Sequence, residues 1–570
     1  MALLGASFQI GRSALAAYQS AIAITGQNIA NVGNPNYTRL SGRLTALEGG
    51  MTLSGIAPGG GVNLSSLQRH VDAAVEARLR MSASLRAGSQ ATYDVLSQVE
   101  SLYNELSHYD LSTQLSTFFN SFSDLQNDPD EITARNLVLD QADAVISTLR
   151  RQRTALLRQA TDLNAAVRQG AQRANQIATE IASLNEEIVT QEARGPGFSA
   201  PLRDRRDALL RELSELMDIQ VRERDNGAIN VYVGSEPLVE FNHSRGLEVQ
   251  TELSDGLSRA TVRFADNHGT VVMSAGRLAA QIQARDEHLV GQVRSLDQLA
   301  RGLIYEVNRV HSTGCGLVGY TNITGTYAVN NRQAALNSAA AGLDFPVNNG
   351  TFIVHLRNRS SGETITRQIE VDLDGIGTDT SLESLAQQLD GVPNLTAGVT
   401  ADGRLQLSAG SGYEFWFSED SSGALAALGV GTFFTGTDAA SIDVNSTLRS
   451  DARLLAASLT GEAADGENAG RLAILGTRSS ALLSNQGIQD FQARMVNTVA
   501  SAAATAATAQ EAADAVYSGL MAQREAISGV SLDEEAINLT TYERAYQAAA
   551  RYFDILNILS TEVLNLVSTR

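Results

Sequence analysis

A chain of 570 residues is too long for one hydrophobic core, so about three or four domains are expected. The formal net charge of −20, from 63 acidic against 43 basic residues, argues against a nucleic-acid-binding surface and fits a self-repelling, soluble one. No lysine occurs, so every basic residue is Arg, which excludes phosphate-loop, Schiff-base and S-x-x-K chemistry.

Aromatics at 5% and 48 glycines suit long helices and thin β-domains better than a deep enzyme pocket. Cys315 is the sole cysteine, which leaves no internal disulfide and no cysteine-built metal centre. Roughly 18 consecutive apolar residues are needed to span a membrane, and no such run is present. The N-terminus lacks the basic region of a secretory signal, so export would need another route.

Taken in chain order, Leu4, Phe8, Gly11, Leu15, Tyr18, Ile22, Thr25, Ile29 and Val32 recur in steps of three and four, which predicts a helix with one seam. Asn34-Pro35-Asn36 should stop it. Residues 39–67 are rich in glycine and read as an irregular connection. Helical spacing returns from His70 to about Tyr109 and, after Asp128-Pro129-Asp130, from Ile132 to Glu192. Asn164, Arg168, Asn175 and Gln176 make that long helix polar over much of its surface. Gly195-Pro196-Gly197 ends it, and Leu202 to Met217 forms a further helix.

From Asn226 the period becomes two. Ile229, Val231 and Val233 alternate with polar residues, predicting a small β-domain before helix resumes over Gly276 to His311. Past Cys315 the chain is β-rich, with a hairpin joining Phe352–Leu356 to Ile365–Leu373. A short helix is expected over Ser381 to Leu389, and Asp402-Gly403 signals a second hairpin turn. From Asp451 the pattern reads as helical to the end. In the last stretch Leu539, Tyr542, Tyr546, Ala549, Phe553, Leu556, Ser560, Val563 and Val567 form a second seam. Ser531 and Glu534 have capping-box spacing, and Asp533 to Glu535 suit the positive end of a helix dipole.

Both ends thus carry a helix in need of a partner. The plain alternative is an intramolecular pair; the sharper one is an assembly surface.

The residues at these ends carry a family resemblance. Asn28-Ile29-Ala30-Asn31 with Asn34-Pro35-Asn36-Tyr37 resembles the N-terminal signature of bacterial flagellar axial proteins, the rod, hook and hook-associated proteins. Asn36 departs from it, since glycine usually precedes that tyrosine, and Asn tolerates left-handed backbone. Ser528 to Ala536, with Tyr542 and Ala545-Tyr546-Gln547-Ala548, resembles the C-terminal signature of the same family. Inner matches at Arg203–Leu210, at Leu296–Ala300 with Asn308 and His311, and at Leu428–Gly436 point to the hook-associated branch at the hook–filament junction.

The resemblance implies a structural adaptor rather than an enzyme, exported by the flagellar type III apparatus to the cell exterior. It also implies self-association into a ring or helical layer. The hook protein and a neighbouring junction protein would be its partners, with a cytoplasmic export chaperone gripping the C-terminal helix beforehand.

Other chemistry is weaker. Asp372, Asp374, Gly377 and Glu383 follow a calcium-loop spacing, but Ile376 stands where an oxygen ligand belongs, and a Thr380–Glu383 capping box explains the pattern. His311 and Cys315 lack a third metal ligand nearby, and the remaining histidines form no catalytic motif. No cofactor is expected. A hook or distal-rod protein, or an axial protein with muralytic activity, is the alternative.

The expected architecture is a multidomain α plus β chain. Residues 1–70 and 526–570 would form a terminal helical assembly domain, and 71–225, 276–314 and 451–525 a long-helix bundle. Residues 226–275 would form a small β-domain and 315–450 a β-rich outer domain. The expected assembly residues are Phe8, Leu15, Ile22, Asn28, Ile29, Asn31, Tyr37, Tyr542, Tyr546, Phe553, Leu556 and Val563.

Overall fold

The computed structural model describes residues 2–48, 59–103, 110–193, 199–254 and 257–568. The chain opens with helix α1 (Ala2–Ala30), hairpin strands β1 (Leu40–Leu47) and β2 (Gly61–Arg69), and helix α2 (Ala73–Tyr103). Helices α3 (Leu111–Asn127), α4 (Ile132–Glu192) and α5 (Ala200–Leu216) follow. A β segment then holds β3 (Ile219–Glu223), β4 (Ile229–Val233), β5 (Glu236–Glu240), β6 (His243–Ser244), β7 (Leu247–Ser254) and β8 (Leu257–Phe264). Helix returns as α6 (Arg277–Gln283), one π-helical turn (Ala284–Leu289) and α7 (Val290–His311).

The second β segment comprises β9 (Asn322–Thr324), β10 (Gly350–Asn358), β11 (Thr364–Val371), helix α8 (Leu382–Asp390), β12 (Leu395–Val399), β13 (Leu405–Ala409) and β14 (Tyr413–Ser418). Helix α9 (Ala424–Leu428), β15 (Phe434–Thr435), β16 (Asp443–Val444), α10 (Ser446–Ser450) and α11 (Glu467–Ala473) lead to the two long closing helices, α12 (Ile488–Ser528) and α13 (Leu532–Ser568). This is the mixed, multidomain α and β architecture expected from the periodicities.

The chain forms two compact units, one of residues 1–95, 161–284 and 504–570, the other of 96–160 and 285–503. In the first unit the core is the C-terminal half of α4, with Val167, Ile177, Ile181 and Ile188, packed against Leu213 of α5 and Val231, Val262 and Phe264 of the sheets. The polar residues of α4 do not simply face solvent. Asn164, Asn175 and Asn185 each reach a strand backbone: Asn164 donates to Ser258 O, Asn175 to Leu247 O, and Asn185 to Ile229 O at 2.9 Å. A polar stripe on a helix can therefore be a row of strand clamps, and those on β7 and β8 satisfy backbone groups of edge strands.

In the second unit, β10 pairs antiparallel with both β11 and β14, and β13 pairs with both β12 and β9. Phe118 and Phe122 of α3 pack on Phe433, and Phe118 also on Phe434, with ring centroids 5.8–5.9 Å apart.

Several local expectations need correction. The stretch read as an irregular connection holds the paired strands β1 and β2, bulged between Arg43 and Leu44; Gly49-Gly50 and Pro58 lie outside the described residues. Leu44 and Leu64 pair within it, so two short alternating runs were masked by the glycines around them. Helix α1 ends at Ala30 rather than at Pro35, through a turn in which Asn31 caps Gln27 O. The β segment begins at Ile219, ahead of Asn226. The break at Gly195-Pro196-Gly197 lies outside the described residues.

Residues 451–487 are not continuous helix; they hold α11, three 3-10 turns and loop. There Asp465 gathers the backbone N–H groups of Leu459, Thr460 and Glu467, closing a loop where helix was expected. The capping box of α8 is Ser381–Ser384, while Thr380 accepts from Asp372 N at 2.9 Å and Glu383 N donates to Arg332 O. The carboxylates of Asp372, Asp374 and Asp379 meet within 4.8 Å, and Glu383 is not among them.

Candidate assembly interface

The first and last helices are already paired within the chain, so the reading in which both seams lack a partner is corrected. Phe8 and Phe553 meet edge to face with centroids 5.3 Å apart. Gly11 lies directly beneath Phe553, and a Cβ placed there would sit 3.1 Å from the ring. A glycine at that point lets an aromatic ring lie against backbone, which a side chain would push away.

The other face of α1 meets the hairpin. Ser13 Oγ accepts from Val62 N at 3.2 Å and donates to Ile10 O at 2.9 Å. Gly61 has φ +101° and any Cβ there would collide with Ser13, so both backbone freedom and close approach require glycine.

Of the expected interface residues, Leu556 is buried, while Phe8, Leu15, Ile22, Ile29, Tyr542 and Phe553 are half-buried. Tyr546 and Val563 are 37% and 39% exposed. Ala549 and Thr25 are buried in the same pair of helices. Asn31 is spent on its local turn, donating to Gln27 O at 2.9 Å and accepting from Asn34 at 3.4 Å.

Asn28 and Tyr37 belong to a polar knot that joins both chain ends. Asn28 is 1% exposed and uses all its hydrogen-bonding capacity. Its Nδ2 donates to Leu40 O at 2.9 Å and to Glu535 Oε2 at 3.0 Å. Its Oδ1 accepts from Tyr37 OH at 2.7 Å and Leu40 N at 3.1 Å. Arg39 then spans the acidic start of α13, with Nε 2.9 Å from Glu535 Oε1 and a terminal nitrogen 2.6 Å from Glu534 Oε2. Its backbone N–H donates to Ser528 O at 2.9 Å.

Ser531 still accepts from Glu534 N at 3.5 Å, but the Glu534 carboxylate is drawn to Arg39 instead of completing a capping box. Burial first, then Asp204 and Glu535, push the Tyr37 hydroxyl up to about 12, so it remains a donor to Asn28 throughout the physiological range.

A second ring of charge surrounds the knot. Asp204 accepts from Thr38 N at 3.3 Å and pairs with Arg69 at 2.6 Å, and Arg69 also holds Asp207 at 2.6 Å. Burial works against the Arg69 charge, but Asp207 and Asp204 hold its proton more firmly than in water. Behind it, Arg206 is 3% exposed and donates to Asn185 Oδ1 at 3.1 Å and Gly227 O at 2.8 Å; burial pulls it down to about 10. The run Arg203–Asp207 is therefore a junction between the hairpin, α4 and the β segment.

Sequence reasoning missed Arg39, Arg69, Asp204 and Glu535 as members of one network. The available signal was the acidic run after Ser531, read only as dipole compensation.

In the second unit the inner matches converge independently. Asn308 of α7 accepts from Phe433 N and Phe434 N at 3.0 and 2.8 Å and donates to Phe434 O at 2.9 Å. His311 Nδ1 lies 2.8 Å from Gly431 O, and its Nε2 accepts from Ala456 N at 3.0 Å. Those two contacts require the neutral ring protonated on Nδ1, and burial holds its pKa down to about 4. Asp297 pairs with Arg153 at 2.8 Å and accepts from Ala439 N at 3.1 Å. The residues quoted around Leu296 and Leu428 are thus one structural device, in which α7 side chains hold the Gly429–Gly436 loop.

Residues 96–325 match the family model described as the flagellar hook-associated protein FlgK helical domain. Along nearly its whole length the chain is similar to proteins named flagellar hook-associated protein 1. It is 25% identical to that of Salmonella typhimurium (strain LT2) over 574 residues, covering 97% of this chain and 98% of the relative. The chain thus resembles the flagellar hook-associated proteins, in its helical domain and along nearly its whole length. The relative from Escherichia coli (strain K12) is 25% identical over 580 residues, with 97% and 98% covered. That from Bacillus subtilis (strain 168) is 24% identical over 569 residues, with 98% and 97% covered.

The fold agrees with a solved FlgK structure, the flagellar hook junction protein from Burkholderia pseudomallei. It superposes with a TM-score of 0.50 at 15% identity, over 79% of this chain and 100% of that one. Among the described residues, no helix is long and apolar enough to cross a membrane.

Proposed function

We propose that this chain is a structural adaptor subunit at the hook–filament junction of the bacterial flagellum, and that it self-assembles through its terminal segments, residues 1–70 and 526–570. The observation that carries the assembly reading is the two-sided character of α13. One side lies on α1 through Ala549, Phe553 and Leu556. On the adjoining face, which begins at Tyr552 beside Gly11 of α1, Ala548, Tyr552, Ile555 and Leu559 recur in steps of four, three and four, and Tyr552, Ile555 and Leu559 are 39%, 56% and 47% exposed. Ile558 and Leu564, elsewhere on the helix surface, are 64% and 59% exposed.

A helix apolar on two faces and covered on one needs a further partner. The neighbouring subunits of a ring or helical layer supply it, together with the hook protein below and the next junction protein above. The twelve interface residues named from the sequence then divide in role. Phe8, Leu15, Ile22, Ile29, Tyr542, Phe553 and Leu556 build the helix pair. Asn28, Asn31 and Tyr37 set its polar end, Val563 borders the open side, and Tyr546 lies at the other margin of the seam.

Before assembly the open face of α13 suits an export chaperone, and the destination is the extracellular flagellum. The β-rich segments, 226–275 and 315–450, decorate the outside of the junction.

The test is the double substitution Ile555→Asp with Leu559→Asp. The purified monomer should keep its helical circular dichroism and thermal midpoint, because neither side chain is buried. Cells carrying only this variant should fail to attach filaments and should lose swarming. Normal attachment by a stably produced double variant would sink the assembly reading of α13.

A further inference from the structure

A cleft of about 820 Å³ opens in the first unit between the β1–β2 hairpin, α2, α5 and the strands β3 and β4. Five arginines line it (Arg43, Arg69, Arg80, Arg203 and Arg206), against the carboxylates of Glu76, Glu192, Asp207 and Glu223.

Every one of those carboxylates is engaged. Glu76 pairs with Arg524 at 2.8 Å and Arg211 at 3.4 Å, Glu192 with Arg203 at 2.7 Å, Asp207 with Arg69 at 2.6 Å, and Glu223 with Arg203 at 2.7 Å. The arginines are not all engaged. Among the described residues Arg43, exposed at the mouth, and Arg80, half-buried along the wall, have no ion pair or hydrogen bond to their side chains. At the buried end Arg206, though 3% exposed, leaves its Nε without a partner. Burial already weakens the charged form of Arg80, with Glu76 and Asp207 only partly restoring it.

A half-buried guanidinium with no direct hydrogen-bond or ion-pair partner is unfavourable unless something arrives to satisfy it. The unused hydrogen-bonding capacity of this cleft is therefore cationic and directional, as suits a carboxylate.

We infer that the cleft receives an acidic loop from a second copy of this chain, the carboxylates engaging Arg43 and Arg80. The inference rests on the self-assembly proposed above and names a further contact for it. The chain carries 63 acidic residues against 43 arginines, so a neighbouring copy presents mostly carboxylates.

One of its loops has the fitting chemistry. Asp372, Asp374 and Asp379 bring their carboxylates within 4.8 Å, and Ile376 between them is 77% exposed. The charges suit Arg43 and Arg80, and the apolar tip suits Val71, Ala77, Leu210 and Val221 of the cleft wall. A cleft on one subunit and a loop on the next make a head-to-tail contact, the kind that generates rings and helical layers.

The experiment uses the full-length monomer and a fluorescent peptide copying Glu370–Ser381, followed by anisotropy at low salt. The peptide should bind, and its counterpart with Asp372, Asp374 and Asp379 changed to Asn should bind at least tenfold more weakly. Arg43→Gln with Arg80→Gln should weaken binding of the acidic peptide by a similar factor, with Arg43→Ala and Arg80→Met as a second pair if the first folds poorly. Added salt should reduce binding progressively.

Equal binding of the Asn peptide, no binding of either, or binding unchanged in both arginine variants would overturn the inference. So would pyrophosphate binding without peptide binding, which would mark a small-anion site. The Ile555→Asp/Leu559→Asp monomer should bind the peptide normally, so failure here leaves the α13 reading untouched and failure there leaves this one standing.

Discussion

Replacing Asn28 tests whether the two chain ends are held together by the donor and acceptor pattern of one side chain. Asn28→Ala removes four hydrogen bonds, to Leu40 N, Leu40 O, Tyr37 OH and Glu535. At about 1 kcal/mol net for each, the loss is bounded near 4 kcal/mol. Two partners recover part of it, because Tyr37 is only half-buried and Glu535 keeps Arg39 at 2.9 Å. We expect about 2–3 kcal/mol.

Asn28→Asp is nearly isosteric, yet it should be worse by roughly 1–3 kcal/mol at pH 7. It keeps the acceptor toward Tyr37 and Leu40 N but turns an oxygen toward the Glu535 carboxylate, where the amide now donates at 3.0 Å. Two ionised carboxylates at that separation repel by about 5 kcal/mol at an effective dielectric constant of 20, so the pair would take up a proton instead. The folded-state pKa of that pair would then exceed its unfolded value. The folded state binds more protons, and the variant should gain stability as pH falls from 7 toward 5.

Amide exchange read by mass spectrometry over residues 2–48 and 532–568 measures the local opening free energy. Trp416, the only tryptophan, lies in the other unit and serves as an internal control for global damage. If Asn28→Asp is no worse than Asn28→Ala at pH 7, the Asn28 amide does not face Glu535 and the network is wrongly oriented.

Other expectations follow from the same structure. Gly11→Val should push Phe553 off α1 and cost about 1–3 kcal/mol, visible as increased proteolysis of α13. Phe553→Ala should remove the edge-to-face contact with Phe8 and cost about 2 kcal/mol, less than a fully buried phenylalanine because the ring is half-buried. His311, whose pKa falls from 6.5 to about 4 on folding, should make the second unit acid-sensitive. Its contribution is complete above the unfolded pKa and is lost as pH falls from about 6.5 to about 4, a change of about 3 kcal/mol read through Trp416 fluorescence in urea. A flat stability between pH 7 and 4.5 would contradict the buried neutral ring.

The long helices were legible because period alone identifies them: Ile132–Glu192 needed no tertiary knowledge, and Pro129 marked its start. The β10–β11 hairpin was legible from alternation and a glycine turn. The β1–β2 hairpin was not, since Leu44, Leu64 and Leu67 are too sparse to show a two-residue period, and its burial comes from α1. The loop after Asp451 read as helix because alanine and leucine favour helix, while the Asp465 carboxylate that organises it acts through backbone groups invisible to periodicity. Asn28, Tyr37, Asp204 and Glu535 all fell within stretches picked out by family resemblance, but their meeting in one network with Arg39 could not be read from it. A hydrogen bond across 507 positions leaves no trace in local spacing.

The knot and the seam together say what kind of joint this is. The seam between α1 and α13 sets Gly11 under Phe553 and buries Ala549 and Thr25, with most larger side chains only half-buried. Such a seam contributes modestly, because half-buried side chains realise only part of the roughly 1.5–3 kcal/mol available to each. The Asn28–Glu535–Arg39 network, by contrast, is directional and fixes register: sliding α13 by one turn would strand a buried carboxylate and leave Asn28 facing nothing. A strong polar pin at one end and a soft apolar seam along the rest fix how the two helices are aligned while leaving their far ends adjustable. On the assembly proposed above, that combination suits a subunit whose helices enter a layer in one register but adapt to two different neighbours, one on either side.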